Sequence, residues 1–260
     1  MVLMRIVVDT VAKTLTTVDG AEERVFPLYG KAAFEAISRQ WLRIGWSLRY
    51  YHNFSWFGHP VLQLPEDLLR VQETIYRIRP DVIVETGVFH GGSLTFYASL
   101  FEALGHGRVI GVDRELSSLA RETAASHPLA RRIALVEGDS VSPEVFARVS
   151  SMIEPQEKVL VMLDSCHQRR HVARELELYS PLVTPGSYIV AADGVMRDLA
   201  DVPGGTAEWA FDNPFEAAKD FLASHPEFVE EQPPWLFHDS EIGENVTYWP
   251  GAWLRRYAKM

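Results

Sequence analysis

Cysteine is nearly missing from this 260-residue chain: Cys166 is the only one. No internal disulfide can form, and a reducing, cytoplasmic setting is expected. Basic residues are also outnumbered, 25 against 35 acidic, leaving a formal net charge of −10. A net-acidic surface disfavours a nucleic-acid backbone or an anionic membrane as main partner. No run approaches the roughly 20 apolar residues of a membrane span. Met1 to Lys13 places Asp9 beside a short apolar stretch and is not expected to act as a signal peptide. Internal repeats and low-complexity linkers are lacking too. What remains is the composition of a globular protein, 47% hydrophobic and 23% charged. Its length suits one large α/β domain with an N-terminal extension, or two small domains.

Two further absences narrow the most informative stretch, Val82-Ile-Val-Glu-Thr-Gly-Val-Phe-His-Gly-Gly-Ser93. An apolar β-branched run, a glycine turn and an apolar helix-like segment make a strand, a tight turn and a helix N-terminus. Backbone N–H groups there can receive an anionic or nucleotide-like ligand. A dinucleotide fingerprint needs a third-position glycine, and Phe89 stands there. A phosphate-binding loop needs lysine before the serine, and Gly92 precedes Ser93. The remaining pattern, E-x-G-x-x-x-G-x-S from Glu85 to Ser93, resembles the first motif of class I S-adenosylmethionine-dependent methyltransferases. An ordinary strand-turn-helix corner is the plainer alternative.

Around this motif the chain alternates. Strand-like runs at 82–85, 108–112, 133–136, 159–163 and 187–191 are separated by helix-like segments at 93–104, 115–126, 142–151 and 167–180. Such alternation predicts a parallel, doubly wound α/β sheet. Beyond residue 203 come a glycine loop, a helix from Pro214 and two more strands near 227–231 and 246–256. Ahead of it, 3–9 and 14–18 read as strands with an Asp19-Gly20 turn, and 32–51 as an aromatic-rich helix. Pro65, Glu66 and Asp67 open another helix, its acids suiting the positive end, with Leu68, Leu69, Val71, Ile75 and Ile78 facing the core. Residues 1–64 are therefore expected to form an extension serving as lid, pocket wall or subunit contact, and 65–260 the main domain.

Ligands of open α/β sheets bind beyond the carboxyl ends of the strands. Those ends carry Glu85-Thr86-Gly87, Asp113, Asp139 with Ser140, Asp164 and Asp193. Asp113 can accept both hydroxyls of a ribose, or act as a loop or cap acid. Asp139 either faces an adenine amine or caps the next helix. Asp164 and Asp193, if on neighbouring strands, would repel each other unless a cation sits between them. Oxygen donors without thiolates favour Mg²⁺ over zinc; helix capping by each acid is the alternative. His167, near a helix start, can act as a neutral proton acceptor, or be structural. His167 and His171 share an H-x-x-x-H spacing, but Gln168 stands where a zinc protease needs glutamate.

Taken together, Trp56-Phe-Gly-His-Pro-Val-Leu-Gln-Leu-Pro-Glu-Asp-Leu68, Arg79-Pro-Asp-Val-Ile-Val-Glu-Thr-Gly87, His90 through Leu100, Gly111-Val-Asp113, Leu163-Asp-Ser165 with His167, and Leu254-Arg-Arg256 resemble the cephalosporin hydroxylase/rhamnosyl O-methyltransferase family. The resemblance covers roughly residues 54 to 257. It implies the Rossmann-like seven-stranded sheet of class I methyltransferases, with its last strand antiparallel. It also implies S-adenosylmethionine, often with Mg²⁺, methylating a hydroxyl of a sugar or antibiotic scaffold. Glu85, Gly87, Gly91 and Ser93 would then border the methionine and ribose parts, and Asp113 would hold the ribose. Thr86, His90, Arg114, Asp139, Ser140 and Asp164 complete the expected cofactor side. Asp164 and Asp193 would hold the metal, with Asp164 and His167 catalytic and His167 the base. The partner implied is a small hydroxyl acceptor, and a homo-oligomer is expected. One departure matters: the family commonly has two consecutive acids at the fifth strand's end, but Ala192 precedes Asp193 here. Nothing in these residues supplies the redox chemistry of the hydroxylase label. A nicotinamide oxidoreductase and a non-catalytic binding protein of the same fold are the competing readings.

Overall fold

The computed structural model describes residues 4–258. The chain opens with an antiparallel three-stranded sheet, β1 (Met4–Asp9), β2 (Thr14–Asp19) and β3 (Glu22–Pro27). Gly20, at φ +58°, turns β2 into β3, a strand that the charge-rich Glu22-Glu-Arg sequence conceals. Helix α1 (Lys31–Ser47) follows and ends sooner than its aromatic content suggests. Arg49 flips to φ +53° and Tyr50–Asn53 form a separate 3-10 turn. A two-residue hairpin, β4 (Ser55–Trp56) and β5 (His59–Pro60), leads to α2 (Pro65–Ile78), with proline in its first turn.

The main sheet has seven strands: β6 (Val82–Thr86), β7 (Arg108–Asp113), β8 (Ile133–Glu137), β9 (Val159–Leu163), β10 (Tyr188–Ala191), β11 (Phe228–Glu230) and β12 (Trp253–Arg256). Their spatial order is β11-β12-β10-β9-β6-β7-β8. β6 through β10 are mutually parallel, and β12 runs antiparallel between β10 and β11. This is the Rossmann-like class I methyltransferase sheet, and its last strand is the reversed one. The connecting helices are α3 (Gly92–Leu104), α4 (Ser118–Ser126), α5 (Pro143–Ser151), α6 (Arg169–Tyr179) and α7 (Pro214–Ser224).

Alternate residues of the central strands face opposite cores. Ile83, Leu160 and Val190 join α2 and α3 on one side, and Val82, Val161 and Ile189 join α5, α6 and α7 on the other. Both faces are covered, so these strands read as unbroken apolar runs. Each fully buried aliphatic side chain contributes roughly 1.5–3 kcal/mol. Two sequence expectations need correction. Leu69 points outward, 63% exposed, because α2 packs through Leu68, Val71, Ile75 and Ile78. The final strand begins at Trp253 rather than 246, since residues 231–252 carry no helix or strand. Asp67 stands in the first turn of α2 as expected, and it is buried there. Order reverses at β6, whose neighbours are β7 on one side and β9 on the other, and the cleft opens above that point.

Candidate active site

All five residues of β6 are buried, and the strand hands the chain directly to Gly87. Gly87 has φ +86°, and a Cβ there would stand 2.6 Å from Ser165 Cα. Only glycine lets this turn lie against the loop after β9, where Asp164 N donates to Thr86 O at 2.8 Å. The turn then wraps Asp113. Val88 and Phe89 N–H groups donate to Asp113 Oδ2 at 2.9 and 3.0 Å. Ser117 Oγ donates to Phe89 O at 2.8 Å while accepting from Ala120 N, which caps α4. Gly91, at φ +81°, caps α3, and at Gly92 the missing side chain admits the Pro60 carbonyl and Val61 Cα. Glu85 lies beneath this loop and does not line the cleft. Its carboxyl accepts from Ser93 Oγ at 2.7 Å and Tyr97 OH at 3.0 Å, and burial pushes its pKa up to about 8.

Across the cleft the parallel pairing of β9 and β10 delivers Asp164 and Asp193 side by side. Asp164, His167 and Asp193 each offer a donor atom within 4.8 Å of the others, and His167 Nε2 is 3.5 Å from Asp193 Oδ2. Neither acid caps α6: its first N–H, from Arg169, goes to Asp212 Oδ1 at 2.6 Å. Asp193 holds φ +61° ahead of the 3-10 turn Gly194–Asp198. Burial raises both carboxyls to about 7, and the charge of Asp193 adds to the shift at Asp164. Gln63 Nε2 donates to Asp164 Oδ2 at 3.3 Å. Two carboxylates, without a thiolate, fit a divalent cation whose other positions are left to water or ligand, with the His167 imidazole beside them. Ala192 is buried in the apolar core, so this set has one acid fewer than the family's usual pair.

The two halves face one cleft of about 360 Å³. His90, Ser93, Asp113, Asp164, His167 and Asp193 line it together with Gly87. Thr86 and Gly91 stand behind its wall. Arg114 is exposed and outside it. Asp139 and Ser140 lie apart as well: Asp139 Oδ1 accepts from Val141 N, and Ser140 Oγ sits 3.1 Å from His171 Nε2. That histidine also meets Ser165 Oγ at 3.2 Å, and Glu175 holds its pKa above the usual imidazole value. The opposite wall is N-terminal: Trp46, Tyr51, His52, Pro60, Leu62 and Gln63. Trp46 packs against Tyr51 and Tyr248, both with ring centroids 5.2 Å away. The aromatics of this wall stand out in the sequence. Gln63 does not, because one polar residue before a proline-opened helix carries no local signature.

The model of the Rhamnosyl O-methyltransferase/CmcI family matches residues 48–257. The chain belongs to that family. Its members are S-adenosylmethionine-dependent O-methyltransferases, and so is this chain. The match starts inside the aromatic N-terminal segment, so the family's extent includes part of the cleft wall. A rhamnosyl O-methyltransferase from Mycobacterium bovis is 27% identical over 213 residues, covering 78% of this chain and 79% of its own length. The Mycobacterium leprae rhamnosyl O-methyltransferase is 28% identical over 184 residues, 68% of this chain and 76% of that one. Among solved structures, a CmcI form with Mg and SAM has a TM-score of 0.56 at 19% identity, covering 80% of this chain and 78% of that one. That likeness speaks for the fold.

Proposed function

We propose that this methyltransferase acts on a hydroxyl of a sugar or sugar-bearing natural product, with a divalent cation, Mg²⁺ by preference, on Asp164 and Asp193. The observation that carries the reading is the single cleft shared by the glycine turn and the Asp164–His167–Asp193 cluster. The rhamnosyl relatives and the CmcI form with Mg and SAM support the acceptor class and the ion.

S-Adenosylmethionine supplies an already activated methyl group, so the protein's main task is alignment of an oxygen nucleophile with it. Gly87 through Ser93 and Asp113 are proposed to border the methionine and ribose parts, a role the loop can fill because Asp113 fixes its backbone. Asp113 Oδ2 is engaged by that backbone, which leaves Oδ1 the freer oxygen for a ribose hydroxyl. When bound, a divalent cation supplies positive charge that favours ionisation of an acceptor hydroxyl. Asp164 and Asp193 would hold that ion, and His167 is proposed to take the proton. Trp46 and Tyr51 would close the acceptor side and exclude water. Phe34, Ile37 and Ile44 on the outer side of α1 are exposed, which supports self-association through that helix.

Transfer of a labelled methyl group to rhamnosides, other glycosides and simple phenols tests the acceptor class, with mass fragmentation locating the methyl. Label on the sugar fragment is the expected result. Incorporation into phenols alone would replace the sugar with an aryl acceptor, leaving the transferase assignment intact.

A further inference from the structure

We propose that the segment from Gln63 to Asp67, at the start of α2, is the positioning frame of the acid pair, Gln63 setting Asp164 and Asp67 setting Asp193. The inference rests on the reading that the pair holds a divalent cation. Gln63 is 5% exposed, and its amide reaches Asp164 Oδ2 at 3.3 Å, while burial and the charges of Glu85 and Asp164 hold the pKa of the buried Tyr97 beside them well up. Tyr97 in turn donates to Glu85. Asp164 is thereby held by one buried amide from the start of α2. Among the described residues Gln63 Oε1 is buried without a protein partner, so the amide is held by its donor side.

Asp67 acts at a greater remove. Its carboxyl is 2% exposed and accepts from the Thr247 hydroxyl and, at 2.9 Å, from Tyr248 N. Thr247 Oγ1 accepts from Trp249 N at 2.8 Å, so one carboxyl organises three consecutive residues. Tyr248 O accepts from Val195 N at 3.0 Å, just beyond Asp193. Pro250 then crosses Gly194 so closely that a Cβ there would sit 2.6 Å from its carbonyl oxygen. The 247–250 segment has no helix or strand of its own to hold it, and a carboxyl buried in apolar surroundings is costly unless its contacts matter. Gln63 and Asp67 are therefore positioning residues: neither is placed among the cation's donors. Such outer partners of ligating carboxylates typically govern metal affinity by 10- to 100-fold.

Calorimetric titration of Mg²⁺ into protein saturated with S-adenosylhomocysteine tests this, with thermal unfolding run beside it. Gln63→Ala should weaken Mg²⁺ binding roughly 10- to 100-fold while leaving S-adenosylhomocysteine affinity within about 2-fold. Thr247→Val should weaken Mg²⁺ in the same direction by less. Asp67→Leu should resemble Gln63→Ala, and Asp67→Asn should recover most of the affinity, because its carbonyl still accepts from Tyr248 N–H. Folded variants that bind Mg²⁺ as the parent does overturn the frame, as does an equal loss of both ligands in Gln63→Ala. A parent protein that binds no Mg²⁺ overturns the cation reading, and the frame with it.

Discussion

The two ends of the cleft are built on opposite principles. At the glycine end the polar groups answer one another: Asp113 takes two backbone N–H groups, Ser117 closes on Phe89 O, and Glu85 receives two hydroxyls. At the acid end Asp164 has one amide at 3.3 Å, and Asp193 has a histidine at 3.5 Å. One end uses its hydrogen bonds to hold a shape that a ligand can enter. The other holds two carboxyls near 7, poised between charged and neutral, so an arriving cation changes their state. Raised carboxyl pKa values at the two ends thus mean different things. Glu85 has both oxygens engaged by hydroxyls, whereas the Asp pair has few partners and two carboxyls close together.

The widest separation of the two ends should come from Gly87→Ala. The new Cβ would press on Ser165 Cα in a backbone already at φ +86°. Positive-φ strain and overpacking against backbone together suggest a loss of roughly 3–5 kcal/mol. Denaturant unfolding should show it, along with loss of S-adenosylmethionine binding. A cost below about 1 kcal/mol would show the loop to be compliant and the comparison too strict.

Asp164→Asn should come next. The replacement preserves shape but removes a charge, so methyl transfer should fall about 100-fold or more, while S-adenosylmethionine affinity stays within about 3-fold. Turnover and calorimetry together check this. Comparable loss of cofactor affinity would merge the two ends into one binding unit.

The pH dependence of stability gives a smaller, signed effect. Asp164 and Asp193 hold protons in the folded chain at pH values where the unfolded chain has lost them, because their pKa values rise from 3.8 to about 7. Over that window the folded state binds more protons, so stability falls as pH rises from about 4 to 7 and levels off above it. Thermal melts without divalent cation should drop by a few degrees across this range, and Mg²⁺ should restore more at pH 8 than at pH 5.5. Asp164→Asn with Asp193→Asn should flatten the slope only in part, because Asp67 and Glu85 are raised in the same direction.

Legibility in the sequence followed the same division. The five βα units were readable because their strands are short apolar runs, the central ones buried on both faces, as in Val159-Leu-Val-Met-Leu163. Strand ends then nominated the acids, since topology alone places them at the cleft. The third N-terminal strand was hidden because Glu22-Glu-Arg-Val-Phe-Pro27 lies mostly exposed and shows no apolar alternation. Asp67 looked like a helix-end acid because its true partners, Thr247 and Tyr248, are remote in sequence. Glu85 looked like a ligand contact because nothing local reveals that Ser93 and Tyr97 turn back onto it. Local pattern reports periodicity and turns; it does not report which buried polar group answers which.

That last point makes Glu85→Gln the finest test of the comparison. A carboxyl with a pKa of about 8 is neutral at pH 7, so an amide replaces it with little change of charge or volume. One difference remains: Glu85 accepts from both Ser93 Oγ and Tyr97 OH, and glutamine offers only one carbonyl oxygen. The other hydroxyl can rotate to accept from the new amide N–H, since hydroxyls both donate and accept. A net cost of about 1 kcal/mol is expected, readable as a small shift in the unfolding midpoint, with turnover near that of the parent. Asp164→Asn makes the same chemical exchange at the other end, where the charge is in use, and should cost activity instead. If Glu85→Gln were to abolish turnover without unfolding the protein, Glu85 would be ionised in the working enzyme, and the glycine end would be as electrostatic as the acid one.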